Sequence, residues 1–179
     1  MCHRSIVLFT SSINNIICFC VWYNVTMSKY WLMKSEPTCY SIDDLKRDKK
    51  TDWDGVRNYQ ARNFMRDKMS VGDGILFYHS STTPAGVVGI AKVATVAHPD
   101  ESAQDKKDDH YDPKATKENP IWMCVDVSFV KKFKDIVTLE EIKANSKLEG
   151  IMVAARGSRL SVQPVSAAHF KLIESLGSK

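Results

Sequence analysis

From Tyr30 onward the apolar residues come in short, strand-length runs, and no two runs are separated by the long amphipathic helix that a parallel βαβ crossover needs. Many strands with brief helices between them, and no βαβ rhythm, predict a small α+β barrel rather than a layered α/β sheet. The expected strands are Tyr30–Lys34, ending at Ser-Glu-Pro37, then Ile75–His79, Gly86–Val96 with a bend at Gly89, and Trp122–Phe133. Ser158–Pro164 reads as extended. Short helices are expected from the Ser41 cap through Lys46, over Tyr59–Lys68, from the Thr138-Leu-Glu-Glu141 capping box to Ala144, and over Ser166–Leu176. The basic stretch after Lys46 reads as a loop, and residues 98–120, polar and interrupted by three prolines, as a long surface excursion of the kind that often covers a site. No internal repeat is present.

The stretch Trp53–Phe64 concentrates chemistry. Within it lie a stacking ring (Trp53), a glycine, the amides Asn58, Gln60 and Asn63, and the guanidiniums Arg57 and Arg62. Rings, amide donors and acceptors, and positive charge are what a flat ligand with a polar edge, such as a nucleobase, requires. The plainer reading stays open: Trp53 anchors the core and the Arg and Asn side chains solvate a helix face.

With 179 residues, 44% hydrophobic and 26% charged, the chain is large enough for one well-buried core. A formal charge of +4 allows contact with phosphates but is far from the dense basic stripe of a strongly electrostatic duplex binder. Five cysteines without a Cys-x-x-Cys pair argue for reduced thiols inside the cell, and five dispersed histidines lack metal-ligand spacing, so neither a metal nor another cofactor is expected. Residues 1–26 are apolar but broken by polar side chains. They fit neither a signal peptide nor a membrane span, so no membrane partner is expected. Met27 is the favoured working start, with 1–26 an extension outside the fold and 27–179 the domain.

Seven ordered motifs then carry a resemblance: Tyr30-Trp-Leu-Met-Lys-Ser-Glu-Pro37, Trp53-Asp-Gly-Val-Arg-Asn-Tyr-Gln-Ala-Arg-Asn63, Val71-Gly-Asp73, Phe77-Tyr-His-Ser80, Gly89-Ile-Ala91, Tyr111-Asp-Pro113 and Ser158-Arg-Leu-Ser-Val-Gln-Pro164. Together, from Lys29 to about Leu176, they resemble the EVE domain family of the PUA-like superfamily. The resemblance implies a curved β pseudo-barrel with short flanking helices, related to the YTH and SRA domains. It also implies a non-catalytic module that binds a modified nucleobase, a modified cytosine or similar, in DNA or RNA. A nuclear location is implied too, with the cytoplasm as the alternative. Carried over residue by residue, the site comprises Trp31, Lys34, Ser35, Trp53, Val56, Arg57, Asn58, Tyr78, His79, Ser80, Arg159, Leu160 and Ser161. Trp53 and Trp31 would supply ring faces to an extruded base, worth about 1–3 kcal/mol per base. Asn58, Ser35 and Ser80 would read its edge. Arg57, Arg159 and Lys34 suit flanking phosphates or a carboxylate.

Several positions keep two readings. Trp31 is either ring platform or core, Tyr78 faces inward or outward, and His79 is ligand contact or structural histidine. Asp73, between glycines, reads as a turn residue, and Trp122 as a plug at the barrel end rather than a lid. A protein-interaction module of the same fold is the alternative function. A hydrolase is a more remote one: His79, Asp112 and Ser80 or Ser161 are the right residue types, but no Gly-x-Ser-x-Gly elbow frames either serine. Cys124 reads as a small apolar filler.

Overall fold

A computed structural model describes residues 29–179; the expected extension 1–26 and the start at Met27 lie outside the described residues. Among the described residues, one curled six-stranded sheet forms a half-barrel. Its strands are β1 (Tyr30–Ser35), β2 (Lys50–Asp52), β3 (Gly74–His79), β4 (Gly86–Val93), β7 (Asp126–Thr138) and β8 (Val162–Val165), in the order β2-β7-β4-β3-β1-β8. A two-residue ribbon joins β5 (His98–Pro99) to β6 (Met123–Cys124). Only β1 and β3 run parallel, so both strands deliver their ends, Ser35 and His79, to the same rim. The curved pseudo-barrel implied by the resemblance is thus the observed fold.

Four short helices flank the sheet: α1 (Ile42–Asp48), α2 (Tyr59–Asp67), α3 (Leu139–Ala144) and α4 (Ala167–Gly177). Ser41 and Thr138 make capping boxes with Asp44 and Glu141, which satisfy the first free N–H groups of α1 and α3. The structure departs from expectation in two places. The basic stretch after α1 is not a loop but β2, whose Lys50–Asp52 pair antiparallel with Ser128–Asp126 on the edge of β7 that β4 leaves open. Val125 leaves the ladder, so the Trp122–Phe133 run divides into β6 and β7. The ladder between β4 and β7 slips twice, near Val87–Gly89 and Ile90–Ala91, and these irregularities bend the sheet where Gly89 foretold a bend.

The two-residue period of the strands sorts the core into two layers. Trp31, Met33, Ile75 and Phe77 join Ile42, Leu45, Trp53 and Met65 on one face. Leu32, Leu76 and Tyr78 join Phe133, Ile142, Phe170 and Ile173 on the other. Asp73 is more than a turn residue: it is buried and accepts from the Trp31 indole at 2.9 Å, from Ser70 N at 3.0 Å and from Lys29 N at 2.9 Å.

The excursion over 98–120 is fastened at its base. Asp100, 1% exposed, accepts from Gly55 N (3.1 Å) and Arg57 Nη1 (2.6 Å) on one oxygen, and from Ser102 N and Oγ on the other. Arg57 also donates to Ser102 Oγ and to the His110 carbonyl, and its guanidinium lies 5.4 Å from the Trp122 ring. Trp122 neither plugs the barrel nor lids a pocket. It stacks on Tyr59 at 4.8 Å, donates to Asp112 and centres a small cluster with Ala103 and Ala115, because the excursion needs an apolar centre of its own. Gly55 has φ +69, and an added Cβ would meet the His110 ring at 3.1 Å, so both backbone and space demand glycine there.

Two outcomes follow. Arg57→Ala should lower unfolding free energy by roughly 3 kcal/mol in urea titrations, the low end for a broken buried pair because Arg57 is 21% exposed. The second concerns His79, whose Nε2 accepts from Ile42 N at 3.2 Å and whose pKa is lowered, chiefly by burial. A folded-state pKa below the ordinary value of about 6.5 means that the unfolded chain binds the proton first. Its contribution is therefore full above that value and declines as pH falls through it. His79→Gln, which keeps an acceptor but cannot titrate, should flatten the loss of melting temperature between about pH 7 and 5 relative to the parent.

Candidate nucleobase groove

Thirteen residues were expected at one site, and the sheet divides them. A groove of about 1020 Å³ on the Trp53 side gathers Lys34, Ser35, Trp53, Val56, Arg57 and Ser161. A smaller hollow of about 450 Å³ gathers Tyr78, Ser80 and Arg159 beside α3, with Lys34 on the shared rim. The parity of β1 and β3 is the reason. Ser35 follows Trp31 and Met33 in alternation and Lys34 follows Leu32, while Phe77 and Tyr78 point to opposite layers.

Four expected members are committed elsewhere. Trp31, 3% exposed, is a core ring whose N–H is held by Asp73, so the two indoles do not converge on one ligand. Asn58 caps α2, its Oδ1 accepting from Gln60 N and Ala61 N at 2.9 and 3.1 Å, which spends the acceptor it would have offered to a base. His79 accepts from the α1 backbone and is a structural histidine. Leu160 packs on the Trp53-side core, and its carbonyl accepts from the buried Gln163 amide at 2.7 Å. Arg57 borders the groove, and its guanidinium is engaged within the protein by Asp100, Ser102 and the His110 carbonyl.

The groove walls can be traced from local structure. After β1, Ser35 donates to the Tyr40 carbonyl at 2.7 Å and ties the Glu36–Tyr40 turn against the rim. Trp53 enters from β2, donates its backbone N–H to Val125 O and meets Phe77 edge-on at 5.4 Å; 7% exposed, it is both core side chain and groove wall. Val56 is buried beneath it. On the third side, Lys34 N donates to Ser161 O and Lys34 Nζ to Ser158 O, each at 2.9 Å, while Gln163 Nε2 holds Ser158 Oγ. Burial pushes the Lys34 pKa down. Ser80 N donates to Ser35 O, which locks the ends of β1 and β3 together.

Residues missed by sequence reasoning also line the groove, among them Glu36, Tyr40, Asp52, Asp54, Gly55 and His110. Asp54 and Gly55 stood inside the Trp53 motif and could have been found there. Asp100 carried no signal, since it is one of several acids in a polar run. Around the second hollow, Lys143, Arg156 and Arg159 are exposed, and none takes part in the ion pairs among the described residues.

Asp52, His98 and Asp126 bring ligand atoms within 4.8 Å of one another. Lys50 Nζ already sits on Asp126, with His98 Nε2 at 2.8 Å on the other oxygen, so the place a cation would take is filled by an ammonium. The groups weighed for hydrolysis are not assembled either: the His79 ring faces α1, and Asp112 accepts from Trp122. Cys124 is buried and its thiol pKa is pushed far up, first by burial and then by neighbouring carboxylates, as befits a filler. No helix among the described residues is long and apolar enough to cross a membrane.

Comparison with known proteins adds to this geometry. The EVE domain family matches residues 29–176. Human thymocyte nuclear protein 1 is 40% identical over 172 residues, covering 86% of this chain and 76% of the relative. Among solved structures, a hypothetical protein from Leishmania major is 49% identical with a TM-score of 0.80, covering 84% of this chain and 94% of that one. Human THYN1 in complex with 5-methylcytosine-containing DNA is 39% identical with a TM-score of 0.78, covering 85% and 99%. A match that runs from the first described strand to the last helix, over the same curled sheet, makes this chain a member of the EVE domain family.

Proposed function

We propose that this chain is a non-catalytic DNA-binding module that seats a modified cytosine or similar base, extruded from its strand, in the Trp53 groove. The observation that carries the reading is the pairing of two adjacent hollows with unlike chemistry. One is floored by an indole and walled by polar side chains; the other is rimmed by three cations with no acidic partner among the described residues. A base and its flanking phosphates need those two environments side by side. The solved complex of human THYN1 with 5-methylcytosine-containing DNA supports the choice of ligand. The name of the human relative supports a nuclear setting.

The energetics are modest. Extruding a base costs a few kcal/mol, and less at a modified or mispaired site, so stacking on Trp53 and edge hydrogen bonds need to return about that much. Lys143, Arg156 and Arg159 provide the phosphate contacts that Arg57 does not.

The direct test is a thermal-shift titration of the purified protein with duplexes that differ by one 5-methylcytosine. The modified duplex should raise the melting temperature more than the unmodified one, by mass action on the folded state. Equal shifts across a panel of modified bases would overturn the reading. Binding should weaken with salt at a log–log slope of about −3 for three phosphates, and Arg159→Ala should reduce its magnitude by about 1. Trp53→Phe, which keeps an edge against Phe77, should weaken binding several-fold. Trp53→Ala should in addition lose about 3 kcal/mol of stability in denaturant unfolding, because it empties part of the core.

A further inference from the structure

Within the groove the cationic heads are already bonded, and the Asp54 carboxylate is not. Lys34 Nζ is held by the Ser158 carbonyl, Lys50 Nζ by Asp126 and the Arg57 guanidinium by Asp100. Of the carboxylates, Glu36 accepts from Ser81 Oγ at 2.7 Å, and Asp52 lies against the His98–Asp126 pair. Asp54 lines the groove without a hydrogen bond or ion pair among the described residues and, unlike Asp52, stands outside the His98–Asp126 cluster. Trp53 and Asp54 both line the groove, so an acceptor and an indole are offered to the same ligand. Asp54 is also fixed in place, because the next residue, Gly55, is pinned by its N–H to Asp100 and by the His110 ring above it.

We infer that Asp54 is a specificity-determining residue of the groove, its carboxylate accepting a hydrogen bond from the exocyclic amine of the bound base. The inference rests on the nucleobase reading above and narrows it to amino-bearing bases. A carboxylate is acceptor-only when ionised, so it suits the N4 amine of cytosine, whereas the O4 carbonyl of thymine or uracil presents a second acceptor to it. The surroundings sharpen that demand. Partial desolvation and the nearby carboxylates of Asp100 and Asp108 raise the Asp54 pKa. The same crowding of negative charge makes a donor welcome and a phosphate unwelcome. Backbone phosphates therefore belong to the Arg156–Arg159 rim and the base edge to Asp54.

Thymine and 5-methylcytosine have the same shape and methyl group and differ at this edge, so they isolate the contact. The experiment measures affinities of the whole protein for duplexes carrying 5-methylcytosine or thymine at one mispaired position, for the parent, Asp54→Asn and Asp54→Ala. The parent should prefer 5-methylcytosine by about tenfold, and both variants should bring the two ligands within about twofold of each other. The salt slope should be unchanged, because phosphate contacts are untouched. Circular dichroism melts should show both variants folded, as expected at an exposed side chain that bonds nothing. A parent that binds both bases equally, or a preference that survives in both variants, overturns the role of Asp54 while leaving base binding intact. A parent that favours neither modified position over unmodified duplex overturns the nucleobase reading and this inference with it.

Discussion

Asp100 is the point on which the shape of the site depends. A carboxylate so deeply buried is tolerable only with its oxygens fully engaged, and here four donors supply that: a backbone N–H and a guanidinium from the Gly55–Arg57 segment, and the N–H and hydroxyl of Ser102. These bonds weld the base of the excursion to the segment that carries Trp53 and Asp54. Without them, that groove wall would rest on the Arg57 bonds to Ser102 and the His110 carbonyl and on Trp122 stacked on Tyr59. Arg57, whose charge suggested a ligand contact, is consumed in making the wall.

The second determinant is the pleat of the sheet. Neighbouring residues of β1 and β3 face opposite layers, so a motif that reads as one cluster in the sequence supplies two compartments in space. Ser35 and Trp53 define one; Tyr78, Ser80 and Arg159 the other. The compartments differ in charge as well as position. Lys50 and Arg57 of the groove are paired with Asp126 and Asp100, while Lys143, Arg156 and Arg159 of the second hollow are exposed without an ion pair among the described residues.

How much of this was legible follows from physics of different range. Local signals were sound: the Ser41 and Thr138 capping boxes, the helix beginning at Tyr59, the bend at Gly89 and the amphipathic α4 all depend on neighbours in sequence. The resemblance gave the curled sheet. What failed was long-range. Nothing near Lys50 announces that it pairs with Ser128, nothing distinguishes Asp100 from Asp105 or Asp109, and nothing in Trp31 reveals an acceptor at Asp73, 42 residues away. Asn58 illustrates a different failure: an amide just before a helix serves as an N-cap as readily as a ligand contact, and the backbone claims it first.

The excursion is tied near both ends, by Asp100 at one and by Trp122 stacked on Tyr59 at the other, with the His110 carbonyl held by Arg57 between them. The exposed residues Asp105–Lys107 bear none of that fastening and stand only a few positions from His110 on the groove wall. They form an arch whose length the scaffold leaves free, which makes them the natural place to graft a fluorophore or a tether that reports on occupancy without disturbing the keystone below.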